Sequence, residues 1–245
     1  MFTESRFKTN FFLIQKKVLR SRSLYFLSLV PLLAVLYVFL ADSLTTAIQF
    51  FLFLFPYLFL FISSDMMKDE IESGVLENII FLRGEYRRYL FQKNLILLIF
   101  ALLLSTSIFS ALIIAGLLKG IFTWLYLLQF LAGIVVGVYY IALSGWLSFY
   151  FRGGSNVMII IIAQVMAILS LFFSLQERAG FLDYLEKGRF PDLMAQLKFL
   201  VFALAFPNVL TFKKFLTYFI IVAVAASLFL LLQWLRIKNL ELKKQ

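Results

Sequence analysis

The chain contains no cysteine and no histidine. It can therefore form no disulfide, no Cys/His zinc centre, no His-ligated haem and no catalytic step that needs imidazole. It also lacks the glycine-rich Walker A sequence, which removes that route to ATP binding. Charge is scarce, since Asp, Glu, Lys and Arg make up only 15% of 245 residues. None of it falls inside the long apolar runs, so the spans offer no groups for a proton relay or a voltage sensor. Any driving force must come from elsewhere.

Apolar sequence is what the chain has in abundance. It is 63% hydrophobic and 18% aromatic, with a mean hydropathy of +0.96, values that exclude an ordinary soluble domain. A bilayer core takes about 20 apolar residues of helix. Six windows meet that need: residues 24–41, 44–62, 95–118, 125–149, 157–175 and 215–235. Each run is continuous rather than alternating, which favours helices over a barrel. The expected fold class is an all-α integral membrane protein of six transmembrane helices, one domain over residues 1–245.

The net charge of +10 fits membrane topology better than nucleic-acid binding, because no basic patch comes with a soluble fold to carry it. Placing the N-terminus inside puts sixteen Lys/Arg in the inner segments and seven in the outer ones. Six of those seven lie in one long segment, where the positive-inside rule is weak. Both termini are then expected in the cytoplasm. The first apolar run follows a basic head and is long enough to span, so no cleavable signal is read here.

That head, residues 1–22, carries Phe7, Phe11, Ile14 and Val18 along one helical stripe, with Lys8, Lys16, Lys17 and Arg20 elsewhere on the wheel. The pattern predicts an interfacial helix with aromatics in lipid and lysines among headgroups. Further along, Pro31 and Pro56 sit inside the first two windows and mark kinks. Trp124 and Tyr126 are expected to anchor the start of span four at the interface. Gly133 and Gly137 form a small-xxx-small pattern that allows close helix approach. Gln49, Gln129, Gln164 and Gln233 read as residues that hydrogen-bond between helices. In residues 176–214 the uncharged part, 199–212, is interrupted by Pro207-Asn208. It is too short to cross, so it reads as an interfacial or re-entrant outer segment before the last helix.

The dense charge lies in one place. Residues 65–93 hold six carboxylates and five Lys/Arg, in a segment (64–93) expected to face the cytoplasm between spans two and three. A glycine-interrupted helix there would set Ile71, Val75, Ile79 and Leu82 towards the bundle. Glu70 and Glu77 would face outward. Asp65, Asp69, Glu70 and Glu72 are close enough to suggest magnesium chemistry in a lipid-modifying enzyme. No D-x-x-D pattern supports that alternative, and no metal site is assigned.

The run Glu72-Ser73-Gly74-Val75-Leu76-Glu77, followed by Ile79-Ile80 and by Lys93 nineteen residues after Gly74, resembles a signature of the ABC-2 type permeases. These are the membrane subunits of ATP-binding-cassette exporters. Arg83 stands where that family has proline, Gly84-Glu85-Tyr86-Arg87 replaces its Leu-Ser-Arg turn, and Gln92 replaces a glycine. The resemblance implies a coupling loop with Glu70, Glu72, Gly74, Glu77 and Lys93 meeting a separate ATPase subunit, which would hold the ATP and magnesium. It also implies an elbow helix bearing Phe7 and Phe11, and pairing with a second permease copy or a sister permease. Outward transport across a bacterial plasma membrane is implied as well, with no catalytic residue in this chain. The aromatic spans lean towards an amphipathic peptide or lipid as substrate.

Overall fold

Helix boundaries follow from local chemistry at each end. The computed structural model describes residues 43–64, 86–151, 155–177 and 193–242, and the described residues are helical with no strand. Ser43 is extended, and its hydroxyl accepts the Thr46 backbone N–H at 3.3 Å, capping α1 (Leu44–Leu54). Pro56 has no N–H to continue that helix, so the chain turns at Phe55 and restarts as α2 (Pro56–Ser64). Leu58 N–H reaches Phe55 O at 2.9 Å, the tighter spacing of a helical start. The expected kink in the second window is thus a one-residue interruption at Phe55, which keeps helical angles.

The third helix, α3, runs from Tyr86 to Leu118 and begins well before residue 95, where the apolar window opens. At its other end Gly120 takes φ 67, a left-handed conformation that a side chain would oppose. Ile121 N–H then closes on Gly116 O at 2.9 Å and Gly120 N–H on Leu117 O at 3.1 Å. This paired closure satisfies carbonyls that a helix end would leave open. Thr123 is extended and starts α4 (Trp124–Leu147). The remaining helices are α5 (Ser155–Glu177), α6 (Leu193–Ala205) and α7 (Phe219–Leu242), with short 3-10 helices at Pro207–Thr211 and Lys213–Tyr218. The last span starts at Phe219 rather than residue 215, because the tighter turns occupy the residues between.

Among the described residues, four helical stretches are long and apolar enough to cross a membrane: Leu44–Ser63, Leu90–Leu118, Trp124–Leu147 and Phe219–Arg236. The apolar stretches Asn156–Leu169 in α5 and Gln196–Ala205 in α6 are shorter. The first apolar window, residues 24–41, and the elbow stripe of Phe7, Phe11, Ile14 and Val18 lie outside the described residues.

Side-chain pairings give the helix directions. Phe55 faces Gly133 and Phe59 faces Gly137, so α1–α2 and α4 run parallel. Gln129 bonds to Thr211, Tyr139 packs on Phe229 and Gln233 reaches Ala142, so α7 runs the same way. Ile48 meets Gly116, Phe51 stacks with Phe109, and Asn94 bonds to Gln233. Thus α3 is antiparallel to those three. Contacts of Tyr140 with Gln164 and of Ser148 with Asn156 place α5 antiparallel too. The directions alternate as successive spans of one membrane bundle must.

The fourth helix is the axis of this bundle, packing on α1, α2, α3, α5, α7 and both 3-10 helices. Its glycines explain how. A Cβ at Gly137 would stand 2.5 Å from the Phe59 ring, and one at Gly133 would collide with Phe55. At Gly145 a Cβ would meet the Gln233 amide nitrogen at 2.6 Å. The small-xxx-small pattern thus serves packing within the chain, as a pair of notches for two phenylalanines. Around them Phe109 stacks on Phe130 at 4.1 Å between centroids, and Phe55 on Phe130 at 4.9 Å. Lipid gives apolar groups no reason to leave it, so close packing of this kind supplies the association energy.

The aromatic belt is split. Trp124 is exposed at the start of α4, as an interfacial anchor should be, whereas Tyr126 is buried in the core around Phe109 and Phe130. At the opposite end Arg236 lies over the Tyr150 ring at 5.4 Å, beside Trp146, an arrangement suited to the headgroup level.

Candidate functional site

Glu70, Glu72, Gly74 and Glu77 lie outside the described residues. Lys93 does not belong to an open loop: it stands inside α3 with 1% of its surface exposed. The segment expected to be loop up to residue 93 is thus helical from Tyr86 onward. Lys93 is also an ionisable residue within a stretch apolar enough to span. It is the fourth residue of the 29-residue stretch Leu90–Leu118 and so lies towards one end of the span.

The described residues converge on a different site, halfway along the bundle. Two helices are broken by proline, one at Phe55–Pro56 and one at Phe206–Pro207, and α4 packs against both breaks. All five residues of Pro207–Thr211 are buried, so the broken segment is enclosed by protein. Non-helical backbone is tolerated at membrane depth only under that condition.

Buried amides and hydroxyls join the two breaks. Tyr57 in α2 donates its hydroxyl to Gln164 Oε1 of α5 at 2.9 Å. Gln164 Nε2 donates to the Tyr140 hydroxyl of α4 at 2.8 Å. Tyr140 donates in turn to Asn208 Oδ1 in the 3-10 helix. Asn208 Nδ2 then donates to the Phe53 carbonyl of α1 at 2.6 Å. Every donor points the same way around the ring. Each link has an acceptor, as buried polar groups require.

Further bonds hold the broken segment in place. Tyr139 donates to the Leu204 carbonyl at 2.8 Å, and Gln129 Nε2 to the Thr211 carbonyl at 2.8 Å. Gln129 and Tyr140 are ~16 Å apart along α4 at 1.5 Å per residue, which sets the segment near the middle of that helix. Phe53 stacks with Phe212 at 5.5 Å and meets Phe206 edge-on at 5.7 Å. A second polar clamp lies nearer the Arg236 end. There Gln233 Nε2 donates to the Ala142 carbonyl at 2.5 Å and Gln233 Oε1 accepts from Asn94 at 3.3 Å.

Not every buried oxygen is satisfied. Gln129 Oε1, Ser144 Oγ and Asn156 Oδ1 have no hydrogen-bond partner. Asn156 spends its amide nitrogen on Ser148 Oγ at 2.7 Å and the Ser144 carbonyl at 3.4 Å. Buried neutral oxygens of this kind suit single water molecules.

Chemically, the ring offers hydrogen bonds and little else. It contains no carboxylate or amine, and no group of three His, Cys, Asp or Glu able to hold a metal occurs among the described residues. Its ionisable groups are the Tyr57 and Tyr140 phenols, and both donate hydrogen bonds within the ring. Three of the four glutamines, Gln129, Gln164 and Gln233, do bond between segments as their membrane positions predict, while Gln49 is exposed. Tyr57 and Tyr140 were not singled out by pattern, and Asn208 only as part of the Pro207-Asn208 interruption. The signal that marks Tyr57 and Asn208 is a polar residue one position after each proline break; nothing in the local sequence marks Tyr140.

Comparison of the chain with protein-family models, with curated proteins and with solved structures finds no match.

Proposed function

We propose that this chain is the permease subunit of an ATP-binding-cassette exporter of the ABC-2 type, driven by a separate ATPase. The observation that carries the reading is the charged run from Glu72 to Glu77, which sits between α2 and α3 and resembles that family's coupling signature. In this reading the Ser64 and Tyr86 ends face the cytoplasm, and six spans, both termini inside, form the path. A second permease completes it. An amphipathic peptide or lipid is the substrate class that the aromatic spans suit.

The helix packing is consistent with such a role. A push delivered between residues 64 and 86 reaches α2 and α3 directly. It passes through Phe59 of α2 and the adjoining Phe55 into the α4 notches. Rigid transmission of this sort needs interlocked side chains, because packed interfaces move between discrete arrangements rather than deform smoothly.

The test is reconstitution of the chain with its ATPase partner in lipid vesicles, comparing parent with Glu72→Gln and Glu77→Gln. The expected result is that the complex assembles but substrate-stimulated ATP hydrolysis falls about tenfold, the factor carried by 1.4 kcal/mol. Unchanged stimulation in both variants would contradict the coupling role. Magnesium-dependent turnover of a lipid by the chain alone would contradict the permease reading as a whole.

A further inference from the structure

The polar ring begins and ends on one broken helix. It leaves α2 at Tyr57, passes through α5, α4 and the 3-10 helix, and returns to α1 at the Phe53 carbonyl. In an unbroken helix the Phe53 carbonyl would take the backbone N–H of Tyr57, four residues on. Pro56 lies between them, and Asn208 supplies a donor to that carbonyl from another segment. The four bonds thus close a loop around the proline.

We propose that this ring is a latch. It holds the α1–α2 hinge at one angle and ties it to the second break at Pro207, so that neither moves alone. A proline break by itself is a soft joint, since helical hydrogen bonds are missing across it. Here the joint can open only if the ring opens. The ring joins α4, α5, the hinge and the broken segment by directional bonds, which makes it a point where their motions become a single event. Each of its four side chains donates one bond within the ring, so in this state it serves to lock.

The strength of the latch suits a switch. A hydrogen bond between membrane segments shifts a population by about threefold to fivefold. Four bonds together hold the closed state on the order of a hundredfold over the open one. A bound ligand or a partner can supply that difference. This inference does not depend on the permease reading, because it concerns the hinge whatever drives it.

The absence of native cysteine makes the test direct. Thr46 in α1 and Lys213 after the broken segment are both exposed, and Thr46→Cys with Lys213→Cys can carry a spin-label pair in the full chain in lipid nanodiscs. The parent should show one dominant distance. Tyr140→Phe removes only the central hydroxyl, and with it two of the four bonds, and should enlarge a second distance population on the order of tenfold. Tyr57→Phe, a milder change at the rim of the ring, should enlarge it less. Tyr139→Phe loses a bond to Leu204 that also steadies the broken segment but lies outside the ring, and should shift the distances less than either. The proposal is overturned if Tyr140→Phe and Tyr57→Phe both match the parent, or if Tyr139→Phe shifts the distances as much as they do.

Discussion

Helices α3 and α4 are both long and strongly apolar, yet they occupy opposite places in the bundle. The span in α3 has a mean hydropathy of 2.6 and is 28% buried, while that in α4 has 2.0 and is 61% buried. The less hydrophobic helix is the inner one. In water that order would be reversed, but lipid solvates leucine as well as a protein interior does. What draws α4 inside is its small and polar residues: Gly133, Gly137 and Gly145 as notches, and Gln129, Tyr139 and Tyr140 as hydrogen-bonding groups. On α3 the exposed hydroxyls of Thr106, Ser107 and Ser110 bond to their own helix carbonyls, so lipid contact costs them little. Burial in this molecule is decided by shape and hydrogen bonding.

That contrast can be broken by filling the notches. Gly137→Leu should have the largest effect, because the Phe59 ring occupies the space and neighbouring side chains are already packed. A loss of about 3 kcal/mol or more is expected, seen as a large fall in melting temperature in mild detergent. Combining it with Phe59→Ala should restore part of the loss, whereas Phe59→Ala alone should destabilise. Additive effects in the pair would show that the notch is not the cause.

Next in size is Asn208→Leu, which strands the Tyr140 hydroxyl and the Phe53 carbonyl together. The expected cost is about 1–3 kcal/mol, read by the same thermal unfolding. Gln129→Met should cost less, about 1 kcal/mol or below, since this amide has an unpaired oxygen already. If it costs as much as Asn208→Leu, membership of the ring has no special weight. Smallest of all is Leu103→Ala on the exposed face of α3, expected within about 0.5 kcal/mol. A large loss there would mean that the lipid-facing side of α3 is covered by protein in the membrane.

Four of the six apolar windows were legible as helices able to span, because continuous apolar runs are a strong signal, and the breaks were legible because proline cannot donate. The interhelical role of Gln129, Gln164 and Gln233 also followed from their positions in apolar helix. The meeting of these features was not. Asn208 and Phe53 are joined across most of the chain, and no periodicity reports a contact between segments so far apart. The notches at Gly133 and Gly137 announce a close neighbour without identifying it, and only the fold shows that Phe55 and Phe59 of the same chain fill them. Tyr126 illustrates the converse: its place near a helix start suggests an interfacial anchor, but its face of α4 points into the core. Lys93 looks like a loop charge until α3 is seen to begin at Tyr86 and carry it into the bundle.

The function proposed for the chain makes one direct demand, that its energy source be a separate protein. Purification of the tagged chain from its native membrane in mild detergent, with mass spectrometry and an ATP hydrolysis assay on the product, tests this. The account predicts a soluble subunit with a Walker sequence in stoichiometric amount, hydrolysing ATP, and lost when Glu72 and Glu77 are both replaced by alanine. A chain that purifies intact and folded with no ATPase bound would contradict it.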